Sequence, residues 1–250
     1  GTGWRDPGHL RLQFKEELKK MAASKTISTG KHRILIVDDH PVFRHGLAQL
    51  INQENDLFVC GEAEDYQSAL KAVKDLQPAM IIVDITLKDM SGIDLIKEIH
   101  KTRRDIAMLV ISMHDESLYA ERALRAGARG YIMKQEASES VVRAIREVRQ
   151  GSIYASKKMT DQIFSRFIEG NKKLAESPLH SLTDRELEVF QLIGEGLGIS
   201  EIGTRLHLSV KTIGTYRERI KEKLNLKTST ELLRYAVNWV ENKKLSDTSP

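Results

Sequence analysis

The sequence predicts an α/β protein with a doubly wound, five-stranded parallel sheet, followed by a small all-α domain. Three observations support this fold class. Short apolar runs rich in β-branched residues recur between residues 33 and 133, and each suits a strand buried on both faces of a sheet. Stretches of helical periodicity separate these runs, as the crossovers of parallel strands require. After Leu182 no strand pattern occurs.

Strands and helices are expected to alternate from Arg33 onward. The predicted strands are 33–37, 57–62, 80–83, 106–111 and 130–133. The predicted helices are 41–53, 66–75 and 93–100, with two more through 118–124 and 141–148. Because every strand is followed by a helix, we expect all five strands to run in the same direction.

Polar side chains stand at the carboxyl ends of four predicted strands. Asp38 and Asp39 follow the first strand, Asp84 the third, Ser112 the fourth and Lys134 the fifth. Parallel strands deliver these groups to one edge of the sheet, where open α/β sheets bind ligands. Three carboxylates repel one another unless a cation neutralises them, and oxygen ligands suit Mg²⁺. The set therefore predicts a receiver for a phosphoryl group, with a carboxylate as the nucleophile.

Four motifs in this order, ILIVDDHP, IIVDITLKDMSG, LVIS and GYIMK, resemble the receiver domain of bacterial two-component response regulators. The resemblance covers residues 32–150 and implies that Asp84 is the phosphoacceptor. It also implies an Mg²⁺ site formed by Asp39, Asp84 and the carbonyl of Thr86, with Asp38 assisting through water. Such loops often carry Pro four residues after the acceptor, and this chain has Lys88 there.

The same resemblance implies how the receiver would respond to phosphate. Ser112 and Tyr131 would form the switch pair, and Lys134 would be the partner of the phosphoryl group. A sensor histidine kinase would supply that group.

The residues after Leu182 are predicted to form four helices. Thr183 and Glu186 make a capping box that opens the first of them. A short helix, 199–206, and a longer helix capped by Ser209 are joined by a turn at 207–209. Two helices joined in this way match a helix-turn-helix, whose second helix enters the DNA major groove. The fourth helix is expected at about 228–242.

The stretch LTDRELEVFQLIGEGLGISEIGTRLHLSVKTIGTYRERIKEKLNL resembles the LuxR-type helix-turn-helix of NarL/FixJ-type response regulators. With Ile213 facing inward, the resemblance implies contacts of the second helix with double-stranded DNA. The implied contact residues are Ser209, Lys211, Thr212, Gly214, Thr215, Tyr216, Arg217, Glu218 and Arg219. The family often has Lys at the position of Gly214 and His at that of Tyr216.

In the resembling family the last helix forms a homodimer on DNA, which phosphorylation would favour here. The residues implied in that dimer are Leu232, Tyr235, Ala236 and Trp239. The alternative is that these apolar side chains only pack on the three preceding helices.

Charge is distributed unevenly along the chain. The overall formal charge is +4, but residues 32–150 contain 16 basic and 19 acidic side chains, a net charge of −3. Residues 205–227 contain seven basic and two acidic side chains, a net charge of +5. This asymmetry predicts that nucleic acid contacts only the second half. A solvated helix face is the alternative explanation of the basic segment.

The sequence divides into four predicted segments. Residues 1–31 are expected to be a leader, with Met21 as the natural start and the first twenty residues as an added tag. The receiver would occupy 32–150, a linker 151–180 and the helix-turn-helix domain 181–245. No apolar run approaches the roughly 20 residues that cross a bilayer, so no membrane segment is expected. A single cysteine, Cys60, fits a reducing, cytoplasmic setting.

The leading functional hypothesis is a transcription regulator controlled by phosphorylation, not an enzyme. A phosphatase of the haloacid-dehalogenase type also uses an Asp nucleophile at a strand end, but it needs a second Asp where this chain has Thr86. A third hypothesis is a DNA-binding protein whose receiver acts as a phosphorylation-independent interaction module. The intact set of Asp39, Asp84, Ser112 and Lys134 argues against this third hypothesis.

Overall fold

The computed structural model describes residues 31–88, 90–114, 116–136, 138–157, 159–161 and 178–247, with side chains described as far as residue 242. The leader predicted at 1–31 lies almost wholly outside these residues. Residues 158 and 162–177 of the predicted linker also lie outside them.

Five parallel strands form one sheet, which confirms the predicted fold class. The strands are β1 (His32–Val37), β2 (Leu57–Ala63), β3 (Met80–Val83), β4 (Ala107–Ser112) and β5 (Gly130–Met133). Their order in the sheet is β2-β1-β3-β4-β5, and each neighbouring pair is parallel. After β2 the chain crosses to the other side of β1, so the gap between the ends of β1 and β3 is a topological switch point.

Helices cover both faces of the sheet because alternate strand residues point in opposite directions. The helices are α1 (Pro41–Asn52), α2 (Tyr66–Leu76), α3 (Gly92–Thr102), α4 (Glu116–Ala126) and α5 (Ser138–Arg149). In β1, Leu35 and Val37 pack in the core formed with α2, α3 and α4. Ile34 and Ile36 pack in the opposite core, formed with α1 and α5. This two-sided burial explains why the strands are continuous apolar runs.

The second half of the chain is helical, as predicted. A 3₁₀ turn at Pro178–Ser181 precedes α6 (Asp184–Gly194), α7 (Ile199–Arg205), α8 (Val210–Lys223) and α9 (Ser229–Asp247). The capping box is present, since Thr183 Oγ1 accepts from the amide of Glu186, and the Glu186 carboxylate accepts from the amide of Thr183. Helix α9 continues five residues beyond the predicted end at 242, because no Gly or Pro interrupts it there.

Helix α6 is the centre of this helical half. Its apolar side chains form a core with α8 and α9, and the ring of Phe190 packs against Tyr235 and Trp239 at centroid distances of 5.8 and 5.9 Å. The polar side chains of its first turns are also buried: Asp184, Arg185, Glu186 and Glu188. Buried charges need partners, and the receiver supplies several of them.

None of the helices among the described residues has both the length and the apolar composition that a bilayer span requires.

Candidate functional site

The three predicted carboxylates come together at the switch point of the sheet. Asp38 and Asp39 follow β1, while Asp84 follows β3 and donates its amide to the carbonyl of Val37 at 2.8 Å. All three side chains are buried. One potential ligand atom from each of Asp38, Asp39, His40 and Asp84 lies within 4.8 Å of the others. The strand ends therefore build an acidic cluster, as the sequence predicted.

Lys134 neutralises part of this cluster. Its amide donates to the carbonyl of Ser112 at 2.8 Å, which fixes the residue beside the end of β4. Its Nζ lies 2.7 Å from Asp38 Oδ2 and 2.7 Å from Asp84 Oδ2. Burial lowers the pKa of Lys134, but the two carboxylates outweigh burial and raise it above the ordinary value. The lysine is thus held as a cation next to Asp84.

Asp84 combines deep burial with an oxygen, Oδ1, that no described residue satisfies. Burial raises the pKa of Asp84 to about 6, against the opposing effect of the Lys134 ammonium. Among the described residues, no group donates a hydrogen bond to Asp84 Oδ1. An oxygen in this position is available to a cation or to a phosphorus atom. The potential ligand atoms around it come from Asp38, Asp39 and His40, and the carboxylates among them suit a hard divalent cation.

Glycine is required beside the acceptor. The amide of Gly92 donates to the carbonyl of Ile85 at 2.6 Å, which closes the loop that follows β3. A Cβ at Gly92 would overlap the carbonyl oxygen of Asp84. The first residue of α3 must therefore lack a side chain for Asp84 to occupy its position.

His114 connects the acceptor loop to the predicted switch residues. Its Nε2 lies 2.8 Å from the Thr86 hydroxyl, and its carbonyl accepts from the hydroxyl of Tyr131 at 2.6 Å. Its amide donates to Ser112 Oγ at 3.2 Å. Thr86, Ser112 and Tyr131 therefore meet through one residue that sequence reasoning missed. Its position two residues after Ser112 is the only signal that could have found it.

Asp184 at the start of α6 connects the helical half to the receiver. Its carboxylate lies 2.9 Å from Lys97 Nζ on α3 and 3.0 Å from Arg122 Nη1 on α4. Arg122 also donates to the carbonyls of Leu179 and Leu182, at 2.9 and 2.8 Å. These contacts form a clamp that holds α6 against α3 and α4. Sequence reasoning identified none of them, because the partners lie more than 50 residues apart.

A second buried pair lies one turn further along α6. Arg185 Nη1 donates to Glu188 at 2.6 Å, and its Nη2 donates to the carbonyl of Leu206 at 2.8 Å. The same nitrogen lies 3.5 Å from the carbonyl of Leu87 in the acceptor loop. Burial raises the pKa of Glu188 to about 7, although Arg185 acts in the opposite direction.

The turn of the helix-turn-helix reaches the acidic cluster. His207, which follows α7, places Nε2 3.5 Å from Asp39 Oδ2. On the receiver side, His40 Nδ1 lies 2.7 Å from Asp39 Oδ1. Sequence reasoning predicted neither histidine as part of the cluster. His40 directly follows the two aspartates in the sequence, whereas His207 comes from the other half of the chain.

Helix α8 carries the predicted DNA-contact residues. Ser209 caps the helix by accepting from the amide of Thr212 at 3.0 Å. The exposed members of the set are Ser209, Lys211, Thr215, Glu218 and Arg219, and the partly exposed ones are Thr212, Gly214, Tyr216 and Arg217. Two lysines near the helix end form ion pairs: Lys221 with Glu218 at 2.8 Å and Lys223 with Glu186 at 2.6 Å. Among the described residues, Lys211, Arg217 and Arg219 form no ion pair.

The predicted dimer residues on α9 divide into two groups. Leu232 and Ala236 are fully buried in the core, and Tyr235 and Trp239 are partly buried against Phe190. Leu233 beside them is an exposed large apolar side chain. A dimer surface on α9 would need the outer side chains of the helix, and the dimer role remains a prediction.

Comparisons with protein families agree with this geometry. Residues 34–146 match the response regulator receiver domain, and residues 180–236 match the bacterial regulatory proteins of the luxR family. The first range contains the acidic cluster with Lys134, and the second contains α6, α7 and α8.

Individual relatives match along nearly their whole length. The oxygen regulatory protein NreC of Staphylococcus carnosus is 36% identical over 219 residues, covering 86% of this chain and 99% of that protein. The transcriptional regulatory protein DegU of Brevibacillus brevis is 28% identical, covering 87% and 99%. RcsB of Salmonella enterica, bound to promoter rprA in the presence of phosphomimetic BeF3-, matches at 25% identity with a TM-score of 0.53, covering 83% of this chain and 99% of that chain. The chain belongs to the two-component response regulators that join a receiver domain to a LuxR-type DNA-binding domain.

Proposed function

We propose that this protein is a transcription regulator switched by phosphorylation of Asp84. The observation that carries the proposal is the buried Asp84 carboxylate, which has one free oxygen and has Lys134 Nζ 2.7 Å from the other. A buried polar atom without a hydrogen-bond partner needs an explanation, and a ligand bound at Oδ1 of Asp84 supplies one.

The arrangement suits in-line transfer of a phosphoryl group to Asp84. A carboxylate oxygen attacks the phosphorus of a kinase phosphohistidine, the P–N bond breaks, and the imidazole leaves with a proton in place of phosphorus. Lys134 faces the charge that develops on the phosphoryl oxygens. Ser112, whose Oγ already accepts from the amide of His114, is placed to meet the product.

Asp38, Asp39 and Asp84 would hold Mg²⁺, and the carbonyl of Thr86 would complete the protein ligands. The fit rests on the three carboxylates of the cluster and on Oδ1 of Asp84, which accepts no hydrogen bond from a described residue. When bound, the ion would neutralise the carboxylates and the transferring phosphoryl oxygens.

Helix α8 would be the recognition helix on double-stranded DNA. Its exposed Lys211 and Arg219 and its partly exposed Arg217 provide positive charge that no acidic neighbour among the described residues neutralises.

The domain division would be receiver 32–150, linker 151–180 and DNA-binding domain 181–245. A sensor histidine kinase in the cytoplasm would be the phosphodonor, and phosphorylation would favour a homodimer. The alternative is a receiver that acts without phosphorylation.

Acetyl phosphate with Mg²⁺ tests the phosphoacceptor. The wild-type protein should gain the mass of one phosphoryl group, and Asp84→Asn should gain none, because an amide is not a competent nucleophile. Asp105→Asn provides the control, since Asp105 is exposed and pairs with Arg103 away from the acidic cluster. Full incorporation into Asp84→Asn would reject the assignment. No incorporation into any variant would favour the phosphorylation-independent alternative.

Replacing Asp39 by Asn tests the metal site. One charged ligand is lost while Asp84 remains, so both Mg²⁺ affinity and the rate of phosphorylation should fall sharply. Calorimetric titration with Mg²⁺ measures the first effect, and the mass assay measures the second. Equal Mg²⁺ affinity in Asp39→Asn and wild type would show that the cluster is not the metal site.

A further inference from the structure

We propose that His207 makes the DNA-binding domain a direct competitor of Mg²⁺ for the acidic cluster. The turn between α7 and α8 places the imidazole over Asp39, so that docking of this domain and filling of the metal site oppose each other. This inference rests on the proposed function in one respect, which is that Asp39 is a ligand of Mg²⁺.

The position of the imidazole supports direct competition. His207 Nε2 lies 3.5 Å from Asp39 Oδ2, the second oxygen of a carboxylate whose first oxygen faces His40. A partly hydrated Mg²⁺ would need direct access to the carboxylate and room for the waters that it retains. An imidazole on the same oxygen occupies that room. Imidazole is also a poor ligand for Mg²⁺, which prefers oxygen donors, so His207 would block the ion rather than join its shell.

The backbone at His207 is consistent with a role for its side chain. Helix α7 ends in a Schellman motif, in which the amide of Leu208 donates to the carbonyl of Gly203 and that of His207 to Thr204. This motif needs a left-handed residue, and His207 has φ +53°. Glycine is the favoured residue in this conformation. A histidine occupies this position despite its less favourable left-handed backbone, and its imidazole points toward the receiver.

The clamp at Asp184 explains how a loosely held histidine could compete. The His207 side chain is half exposed, so the contact with Asp39 is weak by itself. Asp184 with Lys97 and Arg122 holds α6 on the receiver, which keeps the imidazole near the cluster at a high effective concentration. By linkage, an Mg²⁺ ion that displaces His207 must weaken docking by the same factor by which docking weakens Mg²⁺ binding.

Calorimetric titration of the unphosphorylated full chain with Mg²⁺ tests the proposal. His207→Asn keeps a residue that tolerates the left-handed conformation but shortens the side chain. It should tighten Mg²⁺ binding by about two- to fivefold, which is the range of one weak, half-exposed polar contact. Arg122→Gln opens the clamp from the receiver side and should also tighten binding. In Arg122→Gln, adding His207→Asn should have no further effect, because an undocked His207 no longer reaches Asp39.

His45→Asn is the matched control, since it removes an exposed imidazole on α1 that contacts only the carbonyl of Pro41 among the described residues. Its Mg²⁺ affinity should equal that of the wild type. Equal affinity in His207→Asn would overturn the proposal, and so would weaker binding, which would make His207 a ligand. Absence of Mg²⁺ binding in every protein would instead reject the metal site of the proposed function.

Hydrogen exchange provides a second readout. Addition of Mg²⁺ should reduce the protection of amides in the first turns of α6 in the wild type. The same addition should have a smaller effect in His207→Asn, in which the ion no longer needs to displace a docking contact. An equal response in both proteins would contradict the coupling.

Discussion

The pKa of Glu188, a buried residue of α6, depends on its burial in the folded protein. Glu188 has no exposed surface, and Arg185 is its partner at 2.6 Å. The pKa of Glu188, raised by burial to about 7 from its ordinary 4.5, means that the native structure holds the proton more tightly than the unfolded chain does. This group therefore stabilises the fold fully below about pH 4.5, and its contribution is lost as the pH rises through about 7.

Glu188→Gln should remove this pH dependence. The native-state shift corresponds to an upper bound of about 3 kcal/mol. Relative to wild type, the variant should therefore gain stability as the pH rises from about 5 to about 7, and the difference should level off by pH 8. Denaturant unfolding at four pH values across this range measures the difference. A constant difference for Glu188→Gln would contradict the prediction.

Two glycines, Gly92 and Gly214, differ in whether the surrounding structure leaves room for a Cβ atom. Gly92 must be glycine because of the Asp84 carbonyl beside it, whereas Gly214 in α8 has no neighbouring atom that would meet a Cβ within 4 Å. A residue with open space around it in mid-helix carries only the conformational cost of glycine.

At the scale of the element, α7 and α8 together offer a matched pair of glycine substitutions. Gly214→Ala should stabilise the protein by about 0.5–1 kcal/mol, because alanine loses less conformational freedom in a helix. Gly203→Ala in α7 should destabilise it, because the new Cβ would lie 2.7 Å from the carbonyl oxygen of Leu208. Thermal unfolding of the two variants measures both effects. A gain in stability from Gly203→Ala, or a loss from Gly214→Ala, would show that the packing differs from this structure.

The capping box of α6 can be predicted from the local sequence, but one of its residues also contacts a different helix. Its capping box is readable from Thr183 and Glu186, and the structure contains it. The Glu186 carboxylate additionally binds Lys223 at the end of α8, which explains why its pKa is lowered despite burial. One capping residue thus fixes the start of α6 and also removes a positive charge from the α8 surface.

At the scale of the whole molecule, docking places the acidic receiver beside α8, the proposed DNA-contact helix. His207 lies over Asp39, and Ser209, the cap of α8, follows only two residues later. The receiver segment has a net charge of −3, so DNA that approached the start of α8 would meet a negative surface. Phosphorylation would then act by shifting an existing equilibrium between docked and open chains.

Salt dependence tests this view of the whole molecule. Three groups per subunit, Lys211, Arg217 and Arg219, would neutralise phosphates in a dimer and give a log–log slope of roughly −5. Phosphorylation should raise the apparent affinity but leave the slope nearly constant, because the contacts themselves do not change. Electrophoretic mobility or anisotropy titrations at several salt concentrations measure both quantities. A flat salt response, or unchanged binding in a Lys211→Ala, Arg219→Ala double variant, would remove the support for α8 as the DNA-contact helix.

Opening the clamp should imitate part of the effect of phosphorylation. Arg122→Gln lies outside the DNA-binding domain and should raise the DNA affinity of the unphosphorylated protein with no change in slope. Arg125→Gln on the same helix, where Arg125 pairs with Glu121, should leave the affinity unchanged. If Arg122→Gln binds DNA as weakly as wild type does, docking does not limit access to DNA.

The residues of the acidic cluster could be predicted from sequence because the rule that places them is local. A buried parallel strand is an uninterrupted apolar run, and the polar residue that follows it must lie at the edge of the sheet. Asp38, Asp39, Asp84 and Lys134 each follow such a run, and they meet as expected. Helix boundaries were similarly accessible from capping residues such as Thr183 and Ser209.

Only the tertiary structure revealed the contacts between the two halves. Asp184 with Arg122, Arg185 with Leu87 and His207 with Asp39 join residues separated by dozens of positions, and each looks like an ordinary polar residue in its own segment. Periodicity reports which face of an element is apolar, but α6 is buried on its polar face as well. The sequence by itself determined the sheet, the helices and the acidic cluster, because short-range patterns encode them. The docking of the helix-turn-helix on that cluster depends on the complementarity of two complete surfaces, which no local pattern contains.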